Sequence, residues 1–311
     1  MSSTYEKIIK KLNLNKDTKL LVVHQDDIGM CHGANQAFKE LYSYRFINSG
    51  SLMVPCPWYL EIIEMCKADK NLDIGIHLTL TSEFNFYKWR PISGPNKDTG
   101  LVDKNGFFWP TVPEVEKNAS IESVEKELRM QIEIILRSEI NISHIDCHMG
   151  TALSPKFQDI YIKLCEEYKI PGIFPRNYHE FNLSIQANEI KNKGLDSAID
   201  VEENIHQKKI ENLEKNESMI IFDNFLMSPF AKKKENAKLI KDILSNLKAG
   251  LNYLSLHCNA PGEIEIIDAP QSHVRIEEYD LFKNREFLDW VNSIENLYCI
   301  SMKNIKSLIF D

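Results

Sequence analysis

The strongest constraint on the fold is a rhythm. Short apolar runs rich in β-branched residues recur at 19–25, 47–54, 73–80, 143–148, 172–175, 219–223, 252–257 and 297–301. Between most of them, apolar residues at helical spacing mark 33–44, 121–137, 156–168, 232–247 and 278–293. A parallel neighbour strand can only be reached by a crossover, so strands alternating with helices build parallel βαβ units. About seven to eight such units predict an α/β fold, an irregular (β/α) barrel of TIM type, rather than an open sheet. Without an internal repeat, a low-complexity tract or a Gly/Ser linker, a single domain over 1–311 is the simplest expectation.

Two connections are longer than a barrel needs, roughly 82–119 and 178–218. The first carries Phe84, Phe86, Tyr87, Trp89, Phe107, Phe108 and Trp109 among turn signals; the second is mostly polar. Loops of this length commonly serve as lids or binding walls. Trp89 and Trp109 are therefore candidates for a wall against the apolar face of a sugar ring. The competing reading is that these aromatics cap the barrel or line a subunit contact.

Charge and composition narrow the function. A net charge of −8 argues against a nucleic-acid surface, and Lys232–Lys234 reads as a solvated helix face. The N-terminal stretch lacks the unbroken apolar core of a signal peptide, and nothing approaches the ~20 apolar residues of a membrane span. The seven cysteines are scattered without a C-x-x-C pair, which suits reduced thiols and a cytoplasmic protein. There is no G-x-S-x-G elbow, no Walker loop and no G-x-G-x-x-G.

The chemistry gathers where the strands end. In a barrel the C-terminal strand ends share one face, and active sites sit there. In this chain they carry His24-Gln25-Asp26-Asp27, then His77, then His144-Ile145-Asp146-Cys147-His148, then His257. Side chains alternate along a strand, so His144, Asp146 and His148 share a face, as do His24 and Asp26, with Asp27 at the turn. A lone histidine at a strand end is ordinarily structural; four strand ends carrying His or Asp together are not ordinary. Imidazole and carboxylate suit Zn²⁺ or a similar divalent ion, and a two-His, one-Asp set leaves positions open for water and substrate. Cys147 and Cys258 each adjoin a site histidine but point to the opposite face, so both read as packing. His32, His179, His206 and His273 are left unassigned.

The segments HQDDIG, GIHLTL, HIDCHMG and LHCNAPG, in this order and spacing, resemble the successive motifs of the YdjC-like carbohydrate deacetylases. The likeness runs from about Lys19 to about Ile309, and Asn35 and Arg176 also stand where that family tends to place Asn and Arg. The resemblance implies a metal-dependent enzyme holding one divalent ion, Zn²⁺ or Mg²⁺, on Asp27, His77 and His148. It implies Asp26 as general base and His257 as general acid. His24, His144, Asp146 and Arg176 would support the site or contact the substrate. The implied reaction removes an acetyl group from an N-acetylated sugar or short oligosaccharide. Alternatives are another amide or ester substrate on the same barrel, or a carbohydrate-binding relative without turnover. A homodimer is compatible with the chain; nucleic acid and membrane partners are not expected. Three positions depart from the family pattern: Gln25 replaces Ala, Gly150 replaces the last His of H-x-D-S-H-x-H, and HCNAPG lengthens H-P-G.

Overall fold

The computed structural model describes residues 1–176, 203–216 and 218–310. Its strands are β1 (Lys19–Ile28), β2 (Ser49–Leu52), β3 (Ile74–Leu78), β4 (Ile142–Cys147), β5 (Gly172–Pro175), β6 (Met219–Phe222), β7 (Asn224–Met227), β8 (Gly250–Leu256) and β9 (Leu297–Cys299). The helices are α1 (Ser3–Lys11), α2 (His32–Ser43), α3 (Tyr59–Ala68), α4 (Val112–Asn118), α5 (Ile121–Leu136), α6 (Gln158–Tyr168), α7 (Glu203–Asn216), α8 (Asn236–Ser245), α9 (Ile264–Ile267), α10 (Ser272–Lys283), α11 (Arg285–Asn292) and α12 (Met302–Ile309).

All strand pairings are parallel, in the order β6-β5-β4-β3-β2-β1-β8-β7. The two ends of this order, β6 and β7, are consecutive in the chain and separated only by Asp223. One bent run therefore pairs with β5 through its first half and with β8 through its second. The sheet nearly closes on itself as an α/β TIM-like barrel. The predicted strand at 297–301 shrinks to β9, which pairs only with Lys19–Leu21 at the start of β1 and adds no stave at the mouth.

Helices cover the outer face of the sheet. In α5, Ser120 caps the N-terminus and Val124, Leu128, Ile132 and Ile135 form the buried stripe. Inside the barrel, polarity changes with height. Leu20 and Val22 of β1 pack with Tyr5 and Ile8 of α1 and with Met302 and Ile305 of α12, an apolar floor. The next inward positions are His24 and Asp26. Each apolar side chain buried in such a floor contributes about 1.5–3 kcal/mol, which sustains the polar layer above it.

Two predicted regions differ. The second insert was expected to be a polar connection, yet it contains α7, whose Ile210 and Leu213 are buried at helical spacing. The rest of that insert, with His179, lies outside the described residues. Lys232–Lys234 is exposed, as expected, but forms the turn before α8 rather than a helix face. No helix among the described residues is long and apolar enough to cross a membrane.

The bend at Asp223 is held by its side chain. Asp223 Oδ1 accepts from the Ser2 backbone N–H at 2.5 Å, and Oδ2 accepts from the Ser2 hydroxyl at 3.1 Å and from the Leu251 N–H at 2.9 Å. Asp223→Ala leaves those buried donors without an acceptor. The expected cost is ~2–4 kcal/mol, measured by chemical denaturation; a loss below ~0.5 kcal/mol would show that the bend holds itself.

Candidate active site

β1 delivers two carboxylates where strict alternation permits one. His24 and Asp26 face inward, so Asp27 should face away. Instead, the pairing of β1 with β2 slips between Gln25 and Ile28, and Asp27 takes φ +60°. The left-handed region disfavours side chains but is tolerated by aspartate. This local break turns the Asp27 carboxylate back into the pocket at the barrel mouth, beside Asp26.

Around Asp27 three donor atoms converge. Its Oδ1 lies 3.0 Å from His148 Nδ1 and 3.6 Å from His77 Nε2. It is fully buried and accepts no well-aligned hydrogen bond. Its Oδ2 accepts from Arg275 Nη1 at 2.8 Å, an ion pair sealed from solvent. The outer nitrogens of both histidines are engaged elsewhere. His77 Nδ1 is 2.9 Å from Asp146 Oδ1 and 2.9 Å from Ser51 Oγ, and His148 Nε2 is 3.0 Å from Glu83 Oε2. Such partners fix ring orientation and turn the inner nitrogens toward Asp27 Oδ1. The donor set Asp27, His77 and His148 lies within 4.8 Å of itself, and its chemistry fits a divalent cation.

The electrostatics tie these groups to one another. Burial opposes ionisation of Asp27, but the Arg275 guanidinium and His148 outweigh it and hold the carboxyl well below its ordinary range. Burial also opposes charge on His148, yet Glu83 and Asp27 bring it up to about 9. Asp146 does the same for His77, against burial, and holds it well above the usual imidazole range. Opposite charges thus alternate through the cluster, the carboxylates of Asp27, Glu83 and Asp146 against Arg275 and the two imidazoles.

His148 opens a tight turn in which Met149 and Gly150 both have positive φ, 51° and 65°. Glycine adopts that conformation without penalty, which gives Gly150, the departure from the family motif, a backbone reason. Met149 joins Leu153, Phe225, Met227 and Phe230 in an apolar wall beside the cluster.

Asp26 stands next to the cluster with both oxygens held. Oδ1 is 2.7 Å from His24 Nδ1, and Oδ2 accepts from Ser255 Oγ at 3.0 Å. His257 lines the same pocket, with Nδ1 3.0 Å from Ser228 Oγ and its ring against Phe230. Its backbone N–H donates to Glu278, a carboxyl that burial pushes up to about 7. The longer loop after His257 is tied to α2. Gln25 Nε2 donates to the carbonyls of Ala34 and Cys258, and the Ala260 N–H donates to the Gly33 carbonyl. The Gln25 and HCNAPG departures thus meet in one set of bonds.

Three predicted contacts fall elsewhere. Trp89 is buried behind His148, with ring centres 6.1 Å apart and its indole N–H on the Thr81 carbonyl, so it does not line the pocket. Trp109 donates to the Gly100 carbonyl within the insert and packs against the core. Arg176 is drawn away by Glu214 at 2.8 Å and Asp223 at 3.5 Å. Cys147 reaches the pocket wall, but burial pushes its thiol up to about 12; Cys258, also buried, lies well above the ordinary thiol range. Neither is a ready nucleophile. Of the unassigned histidines, His32 pairs with Glu61, His206 with the Pro175 carbonyl and His273 with the Ala231 carbonyl. Glu83, Arg275, Ser51, Tyr253 and Ser255 were not anticipated. Glu83 follows GIHLTLTS closely enough to have been a candidate; Arg275, on α10, carries no sequence signal.

The profile of the YdjC-like protein family matches residues 20–293. Proteins named carbohydrate deacetylase are 30% identical over 170 residues in Thermus thermophilus, covering 55% of this chain and 58% of that one. A second from Thermoanaerobacter pseudethanolicus is 29% identical over 153 residues, covering 49% and 59%. Carbohydrate deacetylase 1 of Listeria innocua is 33% identical over 153 residues, covering 48% and 58%. The chain thus spans under two thirds of the length of these relatives. A crystal structure from Enterococcus faecalis V583, described there as a candidate cellobiose-phosphate cleavage protein, superposes with a TM-score of 0.71 at 21% identity. It covers 94% of this chain and 100% of that one, a likeness of fold. Because the family profile runs through every strand end that feeds the pocket, the chain belongs to the YdjC-like family.

Proposed function

We propose that this protein is a metal-dependent hydrolase that removes the acetyl group from an N-acetylated sugar or short oligosaccharide, giving a free amine and acetate. The observation that carries the reading is the convergence of Asp27 Oδ1, His77 Nε2 and His148 Nδ1 on one point at the barrel mouth. Relatives named carbohydrate deacetylase support the substrate class. One Zn²⁺ or Mg²⁺ ion is the expected cofactor, held by those three residues. When bound, such an ion supplies Lewis acidity at a carbonyl oxygen, worth several kcal/mol of charge stabilisation.

The chain's own groups divide the proton work. Arg275 neutralises one oxygen of Asp27 and leaves the other for the cation. Asp26 Oδ2, held at the pocket by Ser255, accepts a proton from the attacking water. His257, anchored through Nδ1 by Ser228, delivers a proton to the departing nitrogen. The apolar wall of Met149, Leu153, Phe225, Met227 and Phe230 excludes bulk water from the reacting bond. The same wall favours a second reading, hydrolysis of another acylated amide or ester. A panel of N-acetyl sugars, other acyl amides and aryl esters, assayed for acid release, separates the two. Acetate released fastest from an N-acetyl sugar is the expected result; turnover confined to non-sugar substrates overturns the substrate assignment.

The Asp pair divides base from ligand. Asp26→Asn should retain the metal and lose ~10²–10⁴-fold in kcat, because an amide cannot take the proton. Asp27→Asn should lower metal affinity itself, read by calorimetric titration. An empty site in Asp26→Asn with a full one in Asp27→Asn would exchange the two roles.

His257 should show its role through the leaving group. An amine must depart with a proton, whereas an activated aryl acetate leaves without one. His257→Ala should therefore lose ~10²–10⁴-fold on the acetamide and much less on the ester, with metal content unchanged. Equal losses on both substrates would remove His257 from the acid role.

A further inference from the structure

Behind Asp26 two imidazoles lie buried face to edge within the barrel. His24 and His144 have ring centres 5.0 Å apart, inclined at 78°, with their Nε2 atoms 3.0 Å from each other. Both are fully buried. Burying two imidazoles is costly unless each nitrogen is bonded, and here each one is. His24 Nδ1 meets Asp26 Oδ1 at 2.7 Å, and His144 Nδ1 meets Ser143 Oγ at 2.8 Å. The fold makes room for the pair. A side chain on Gly75 would place its first carbon no farther than 2.7 Å from three atoms of the His144 ring. The Tyr253 ring packs on the other side of His24, 5.1 Å between centres.

The hydrogen-bond chain gives each ring nitrogen a defined neighbour. At 2.7 Å, His24 Nδ1 is within hydrogen-bond reach of Asp26 Oδ1, and a proton on that nitrogen is donated to the carboxylate. The two facing Nε2 atoms share one proton. Whichever ring carries it, the proton on His24 Nδ1 stays directed at Asp26. Burial and the neighbouring His24 push His144 down to about 3, so it serves as a neutral partner. Asp26 Oδ1 is thereby committed to the barrel interior, and Oδ2, held by Ser255, is the oxygen left for the pocket.

We propose that His24 is the positioning residue for Asp26, locked by His144 and Ser143 into the orientation that presents Asp26 Oδ2 to the substrate. This rests on the reading of Asp26 as the base. Nitrogen-15 NMR of the imidazoles in the wild-type protein should show His24 protonated at Nδ1, with a strongly deshielded proton that disappears in Asp26→Asn. Kinetics on an N-acetyl sugar give an independent arm. His24→Leu should lose ~10–100-fold in kcat, the usual loss when the partner that orients a site group is removed, with KM and metal content unchanged. His24→Asn, whose amide N–H can replace Nδ1–H, should recover most of it. Equal losses in the Leu and Asn variants, or a His24 Nδ1 without a proton, overturn the proposal. If the wild-type protein releases no acetate from any sugar, the base reading fails, and the NMR result still decides whether His24 holds Asp26.

Discussion

The site depends on one buried ion pair, Asp27 with Arg275. A carboxylate with no solvent exposure would ordinarily protonate or be replaced by an apolar residue. The guanidinium at 2.8 Å keeps it ionised and uses only Oδ2. Oδ1 is left buried without a well-aligned hydrogen bond, its charge balanced by Arg275 and by the two imidazoles drawn to it. His77 and His148 reach that oxygen from two other strand ends. Breaking such a pair by removing one partner typically costs ~3–5 kcal/mol, so α10, which carries Arg275, is part of the site as much as the strands are.

The barrel interior is organised to support this. Its floor is apolar and plugged by α1 and α12, while its mouth holds His24, His144, Asp146, Ser51 and Tyr253 in a connected layer. Asp146 is the junction. It accepts from Ser51 and Tyr253, orients His77, and lies 3.7 Å from His24 Nε2. The inner carboxylate behind Asp27, His77 and His148 and the imidazoles behind Asp26 thus form one layer. Fully bonded polar layers of this kind rigidify a core, and partly bonded ones destabilise it.

What the sequence made legible follows from strand geometry. Alternation put His24 and Asp26 on one face and His144 and Asp146 on another, and the structure shows all four turned inward. Asp27 could not be placed by alternation, because its carboxylate reaches the pocket only through a register slip and a positive φ. Arg275 was invisible because a charged residue on an amphipathic helix normally faces water. Glu83 is hidden among the aromatics of a long insert, in which Trp89 packs behind His148 and Trp109 packs against the core. The barrel itself was legible, but the way one run closes it by serving two neighbours was not. Asp223 sits at the end of an apolar run, and nothing in the run says that the strand bends there and changes partners.

The proposed site stands or falls on whether Asp27, His77 and His148 hold a divalent ion on which deacetylation depends. It is tested most directly by acetate release from N-acetyl sugars with protein stripped of metal by a chelator, before and after Zn²⁺ or Mg²⁺ is restored. Negligible release is expected from the stripped protein, with recovery that saturates at about one ion per chain. Full turnover by the stripped protein, unchanged on adding either ion, would contradict it.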